Sequence, residues 1–105
     1  MTKNADTVAH LQRALAMELA AVNQYLLHAH TLDSWGMDKL AAKMRSEMHE
    51  ELGHAGQFIE RLVFLEADPV LEPAKTPQRA PNLRAMFEAD LADEKDAIAF
   101  YTEAA

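Results

Sequence analysis

The stretch Glu51-Leu52-Gly53-His54 lies in the middle of a long segment with helical periodicity and carries the clearest indication of the architecture. Side chains three residues apart project from one face of a helix. A carboxylate and an imidazole at this spacing can therefore bind one metal ion from inside a helical bundle. A single Glu-x-x-His pair is common in Glu-rich helices, so its meaning depends on its surroundings.

Those surroundings are three apolar stripes, each of which includes an acid. The stripes are Leu11, Leu15, Glu18, Val22, Tyr25 and Ala29; Leu40, Met44, Glu51, Ala55, Phe58, Leu62 and Leu65; and Leu83, Phe87, Asp90, Glu94, Ala97 and Tyr101. Their spacing of three and four predicts helices that aim these carboxylates inward. A buried ionised carboxylate is unfavourable unless a cation compensates it, and no Lys or Arg falls on the stripes. The pattern indicates a divalent metal site.

Composition narrows the class of protein. The 105 residues predict a single domain, and three amphipathic helices form a core small enough to gain from association. Ten basic against 17 acidic residues, a net charge of −7, argue against a nucleic-acid partner. Zero cysteines exclude disulfides and thiolate metal sites. With no apolar leader and no membrane-length apolar run, we expect a soluble cytoplasmic protein with no membrane partner.

We predict an all-α chain with a first helix over about residues 6–32, a second over about 37–66 and a third over about 81–105. Asp6 or Thr7 is the expected cap of the first helix, and Pro81 the expected first turn of the third. Four prolines, at positions 69, 73, 77 and 81, mark an extended crossover over about 67–80. About 14 extended residues reach roughly 46 Å, enough to return along a second helix roughly 45 Å long. The third helix is thus expected to run parallel to the second.

The chain resembles the N-terminal two-thirds of a bacterioferritin, a ferritin-like protein, from about Val8 to Tyr101. The resemblance is carried by Met17-Glu18-Leu19, Asn23-Gln24-Tyr25-Leu26-Leu27-His28-Ala29, Trp35-Gly36, Glu51-Leu52-Gly53-His54-Ala55, Ile59-Glu60-Arg61 and Phe64-Leu65-Glu66. It implies a ferritin-like bundle whose fourth helix lies outside this sequence.

The resemblance also implies a site and an activity. Glu18, Glu51 and His54 correspond to ligands of one iron, Glu51 and Glu94 serve a second iron, and Tyr25 lies beside the pair. The implied activity is oxidation of Fe(II) by dioxygen or peroxide, with ferric mineral stored in a shell of roughly 24 subunits.

Two departures from the family bear on cofactors. The family's second Glu-x-x-His lies in the fourth helix, which would complete the second iron site. The family's axial haem ligand is a methionine directly after the ligand Glu, whereas this chain has Leu52 there. A leucine has no lone pair, so we expect no haem.

The sequence leaves three functions open. The first is an iron-oxidising storage subunit, and the second is a short chain that pairs with a second copy to form a symmetric di-iron site. The third is a metal-free structural subunit of a mixed shell, with its carboxyls held neutral. Carboxylate and imidazole ligands suit iron or manganese, and zinc binds them too. His28, His30 and His49 are expected in solvated or interface positions rather than as ligands.

Overall fold

Three helices make up the computed structural model, which describes residues 2–104 and the side chains of residues 4–103. α1 spans Thr2–Ser34, α2 spans Asp38–Phe64 and α3 spans Leu83–Ala104. No helix within this described range is long and apolar enough to cross a membrane.

α1 and α2 pack antiparallel along their length. One buried cluster joins the end of α1, at Ala29 and Leu32, to the start of α2, at Ala41 and Met44. A second cluster joins Leu15 of α1 to residues near the end of α2, Ala55 and Leu62. The turn between them closes on Gly36, whose φ of 77° is in the left-handed region. Met37 N–H then donates to the Leu32 carbonyl at 2.9 Å, which satisfies an end carbonyl of α1.

α3 lies against α1 and runs antiparallel to it, hence parallel to α2. His28, late in α1, contacts Asp90, early in α3, whereas Glu18 contacts Tyr101 near the end of α3. This orientation is the one expected from the length of the crossover.

The crossover is fixed to α1 by backbone hydrogen bonds from the residues that follow its prolines. Val70 N–H donates to Gln12 Oε1 at 3.0 Å and Gln78 N–H donates to Gln24 Oε1 at 3.0 Å. Each glutamine also donates through Nε2 to the carbonyl of the same crossover residue, at 2.6 and 2.9 Å. Between them, Ala74 N–H donates to the Ala16 carbonyl at 2.9 Å.

The helix ends differ from the expected ones for local reasons. α1 already begins at Thr2, so Asp6 and Thr7 lie inside it instead of capping it. α3 begins at Leu83 because Asn82 Oδ1 accepts from Ala85 N–H at 2.8 Å, a side-chain cap that the sequence reading did not anticipate.

α2 ends at Phe64, two residues earlier than expected, because Glu66 takes a φ of 60° and turns the chain. The N–H of the next residue, Ala67, donates to the Leu62 carbonyl at 3.0 Å. This hydrogen bond is usual where an α-helix ends at a residue with a positive φ. Glutamate is disfavoured in this conformation because its Cβ crowds the backbone.

We expect Glu66→Gly to raise the free energy of unfolding by about 0.5–1 kcal/mol, because glycine adopts a positive φ without steric cost. Gly36→Ala is the matched control and should lower it by about 1 kcal/mol. A Cβ at Gly36 meets nothing within 4 Å, so that loss would be conformational alone. Urea unfolding measures both, and a destabilised Glu66→Gly variant would contradict the prediction.

Candidate metal centre

Three side chains from α1 and α2 form a group that can hold a metal ion. Glu51 and His54, one turn apart on α2, face Glu18 on α1, and one ligand atom from each lies within 4.8 Å of the other two. His54 Nδ1 is 3.7 Å from Glu51 Oε2 and 3.8 Å from Glu18 Oε2. These two separations exceed hydrogen-bond length, so the imidazole is not hydrogen-bonded to either carboxylate.

Glu18 is the most constrained member of the group. Its side chain is buried, with 7% of the residue exposed, and Oε1 accepts a hydrogen bond from the Tyr101 hydroxyl at 3.1 Å. Oε2 is also buried and has no hydrogen-bond partner among the residues that the structure describes. Burial, and then the nearby Glu51 carboxylate, raise the pKa of Glu18 from 4.5 to about 8. A cation among these oxygens would offset both the burial of the charge and the repulsion from Glu51, so the donor set fits a metal ion.

Glu94 and Tyr25 lie around an adjoining cavity of about 540 Å³ rather than inside this three-residue group. Both line the cavity, and Glu51 is shared between it and the group. Glu94 is exposed, whereas Tyr25 is partly buried. Burial, followed by the charge of Asp90, raises the pKa of Tyr25 to about 12. The structure thus brings Glu18, Glu51 and His54 together and places Glu94 and Tyr25 on the far side of Glu51.

Two contacts were missed by sequence reasoning. Tyr101 was taken for an apolar-stripe residue, yet its hydroxyl contacts Glu18. His28 was expected at a solvated or interface position, and this expectation is wrong within the single chain. Only 1% of it is exposed, and its Nε2 lies 3.0 Å from Asp90 Oδ1. The sequence feature that could have predicted this contact is Asp90, an acid on the α3 stripe with no predicted partner.

Leu52 follows Glu51 on α2 and is 50% exposed. Its side chain carries no metal-binding atom at the position where the family resemblance places the haem thioether. Met48, one turn earlier on α2, is partly buried. His30 and His49, which were also expected in solvated or interface positions, are exposed.

Comparison with known proteins gives a consistent result. A family model described as a ferritin-like domain matches residues 8–105. The bacterioferritin of Rhodobacter capsulatus is 39% identical over 104 residues, which cover 99% of this chain and 65% of the relative. The bacterioferritin of Brucella melitensis is 43% identical over 96 residues, covering 91% of this chain and 60% of the relative. The chain thus spans less than two thirds of the length of these relatives.

Solved structures agree with the sequence relatives. The structure of the Rhodobacter capsulatus bacterioferritin, described as having a metal-free dinuclear site and a haem iron in a crystallographic special position, has a TM-score of 0.90 at 40% identity. It matches 95% of this chain and 62% of its own. The Mycobacterium tuberculosis bacterioferritin BfrA has a TM-score of 0.88 at 36% identity, over 93% of this chain and 62% of its own.

The three-helix bundle, with Glu and His side chains of α1 and α2 grouped together, is therefore that of a ferritin-like protein, and the predicted all-α, ferritin-like fold is confirmed. Within that class, identity near 40% along almost the whole chain shows that it belongs to the bacterioferritin family.

The raised pKa of Glu18 predicts an unusual pH dependence of stability without metal. Between pH 4.5 and about 8 the folded protein keeps a proton that the unfolded chain has lost. Stability from this group is therefore fully present below pH 4.5 and is lost as the pH rises towards 8. Glu18→Gln, neutral and similar in shape, should flatten this slope and be more stable at pH 8 by on the order of a few kcal/mol.

Urea unfolding of the metal-free protein at several pH values measures this slope. Glu60→Gln is the control, because Glu60 is an exposed carboxylate on α2. A slope unchanged in Glu18→Gln, or flattened equally by Glu60→Gln, would show that Glu18 does not carry the effect.

Proposed function

We propose that this protein is an iron-storage subunit that oxidises Fe(II) at a carboxylate and histidine di-iron site. The observation that carries the proposal is the buried Oε2 of Glu18, which accepts no hydrogen bond from the described residues and lies beside Glu51 and His54. Such an atom is unfavourable in a folded protein unless a proton or a cation compensates its charge. The conclusion that this charge is iron comes from membership of the bacterioferritin family.

In this proposal each residue has a separate role. Glu18, Glu51 and His54 would hold one Fe(II), and Glu51 and Glu94 would hold a second. The position of Glu51, shared between the three-residue group and the adjoining cavity, supports the bridging role. Tyr25 lines the same cavity. By the family resemblance, the remaining ligands of the second iron would come from a second Glu-x-x-His in a fourth helix.

Bound iron supplies the redox chemistry, since each Fe(II) gives one electron to dioxygen or peroxide. The carboxylates of the chain supply the negative charge that binds the iron. Glu18 must lose its proton when the metal binds, and the carboxylates then balance the additional positive charge of the ferric product. Leu52 offers no axial ligand, so we further propose that no haem is bound at this position.

Two alternatives retain specific support. A metal-free structural subunit is compatible with Glu18, because a pKa of about 8 leaves that carboxyl neutral near pH 7. A symmetric site between two copies is compatible with the open cavity beside Glu51 and Glu94. Fe(II) titration followed by absorbance distinguishes metal-binding from structural roles through the stoichiometry of iron bound per chain.

We expect Glu51→Gln to slow Fe(II) oxidation by about 100-fold or more, because an amide cannot bridge two cations as a carboxylate does. Glu50→Gln is the matched control. It makes the same chemical change one residue earlier, at an exposed position outside the three-residue group, and should leave the rate within about twofold.

Circular dichroism and the size of the assembly should be unchanged in both variants. Equal oxidation rates in Glu51→Gln and wild type, or a loss of assembly without a loss of oxidation, would instead assign Glu51 a structural role.

α3 presents an apolar face that a further helix would cover. Phe87, Leu91 and Ile98 are exposed on it at helical spacing. A face of this kind is typical of a surface that packs against another helix. We propose that a helix of the same assembly covers it, as membership of a shell-forming family suggests.

We therefore expect Ile98→Glu to weaken the assembly and to lower its free energy of unfolding by about 1–3 kcal/mol, because a charge would be buried against the covering helix. Ala99→Glu, also exposed in the single chain, is the control and should cost less than about 0.5 kcal/mol. Light scattering and thermal unfolding measure both. A homogeneous 11.7 kDa monomer that tolerates Ile98→Glu would contradict the proposal.

A further inference from the structure

The Tyr101 hydroxyl gives the two oxygens of Glu18 different environments. It donates to Oε1 at 3.1 Å. Within residues 2–104, Oε2 has no hydrogen-bond partner, and it lies 3.8 Å from His54 Nδ1. Oε2 is therefore the oxygen that faces the proposed metal position, and Oε1 is turned towards α3.

The position of Tyr101 is fixed by its own helix. Its ring packs edge-on against Phe100, with centroids 5.2 Å apart and an angle of 69° between the planes. Phe100 is buried, and the guanidinium carbon of Arg13 on α1 lies 4.8 Å from its ring centroid. The packing of Phe100 between α1 and α3 thus holds the Tyr101 hydroxyl next to Glu18.

Packing alone does not explain this tyrosine. Tyr101 is 40% exposed, so its ring adds only part of its area to the core. Its hydroxyl reaches into a cavity of about 280 Å³ that is also lined by Glu18 and Glu51. A phenylalanine would keep the packing against Phe100 and lose only the contact with Glu18.

We propose that Tyr101 is a positioning residue that restricts Glu18 to binding a metal ion through Oε2 alone. A chelating carboxylate must bring both oxygens to about 2.0–2.2 Å from one ion. The hydrogen bond to Tyr101 holds Oε1 away from that arrangement, as outer groups do when they orient metal ligands. One coordination position on the ion therefore stays open for the oxidant. This inference rests on the proposed function, because it concerns the same metal position.

Co(II) tests the inference, because its visible absorbance reports coordination number and needs no turnover. The assembled metal-free protein is titrated with Co(II) as wild type, Tyr101→Phe and Tyr101→Leu. Tyr101→Phe removes only the hydroxyl, whereas Tyr101→Leu removes the ring as well. We expect both variants to bind as many Co(II) ions as wild type, with absorbance per ion lower by about twofold or more as Glu18 becomes chelating.

The rate of Fe(II) oxidation should fall in parallel by about tenfold in both variants, since the open position is lost. A Tyr101→Phe spectrum identical to that of wild type would overturn the inference. So would a change seen in Tyr101→Leu alone, because the ring and not the hydroxyl would then be responsible. If wild-type protein bound no Co(II), that result would instead contradict the metal site itself, and the proposed function with it.

Discussion

The unbalanced burial of Glu18 is the constraint on which the rest of the site depends. One carboxylate oxygen accepts a hydrogen bond from Tyr101, and the other is buried and accepts none from the described part of the chain. In the absence of a cation this group lowers its free energy by keeping a proton, which is why its pKa rises. A metal ion that displaces the proton gains the attraction of a carboxylate already desolvated and oriented. The burial of Glu18 thus lowers the stability of the metal-free protein, and the same burial preorganises its carboxylate for binding a metal ion.

That preorganisation depends on where α3 lies along the bundle, which the crossover controls. Pro69, Pro73 and Pro77 lack an N–H, and the residue after each one donates its own N–H to α1. Gln12 and Gln24 hold both backbone groups of their crossover partners, as a neighbouring strand would. A slip of the crossover along α1 would break these pairs. The same register brings α3 to the height at which Tyr101 meets Glu18.

Helical periodicity was sufficient to predict the three-helix fold and the burial of Glu18, because both follow from local spacing. It also predicted an inward His54, whereas 46% of that side chain is exposed in the single chain. It could not predict the partner of Tyr101, which is 83 residues away from Glu18 along the chain. A tyrosine on an apolar stripe has the same pattern whether it fills a core or donates to an acid. The cap at Asn82 was missed for a similar reason, because Pro81 offered an equally good start for α3.

The two sides of Glu51 argue for binding over a purely structural role. On one side of Glu51, Glu18 lines a cavity together with residues of α3 and the crossover. On the other side, the exposed Glu94 lines a second, open cavity. A subunit that only supported a shell would be more stable with an apolar residue in place of Glu18. His54 adds little packing, since 46% of its side chain is exposed, yet it lies within 4 Å of two carboxylates. A cation explains the buried acid, the exposed imidazole and their common focus together, whereas packing explains none of them.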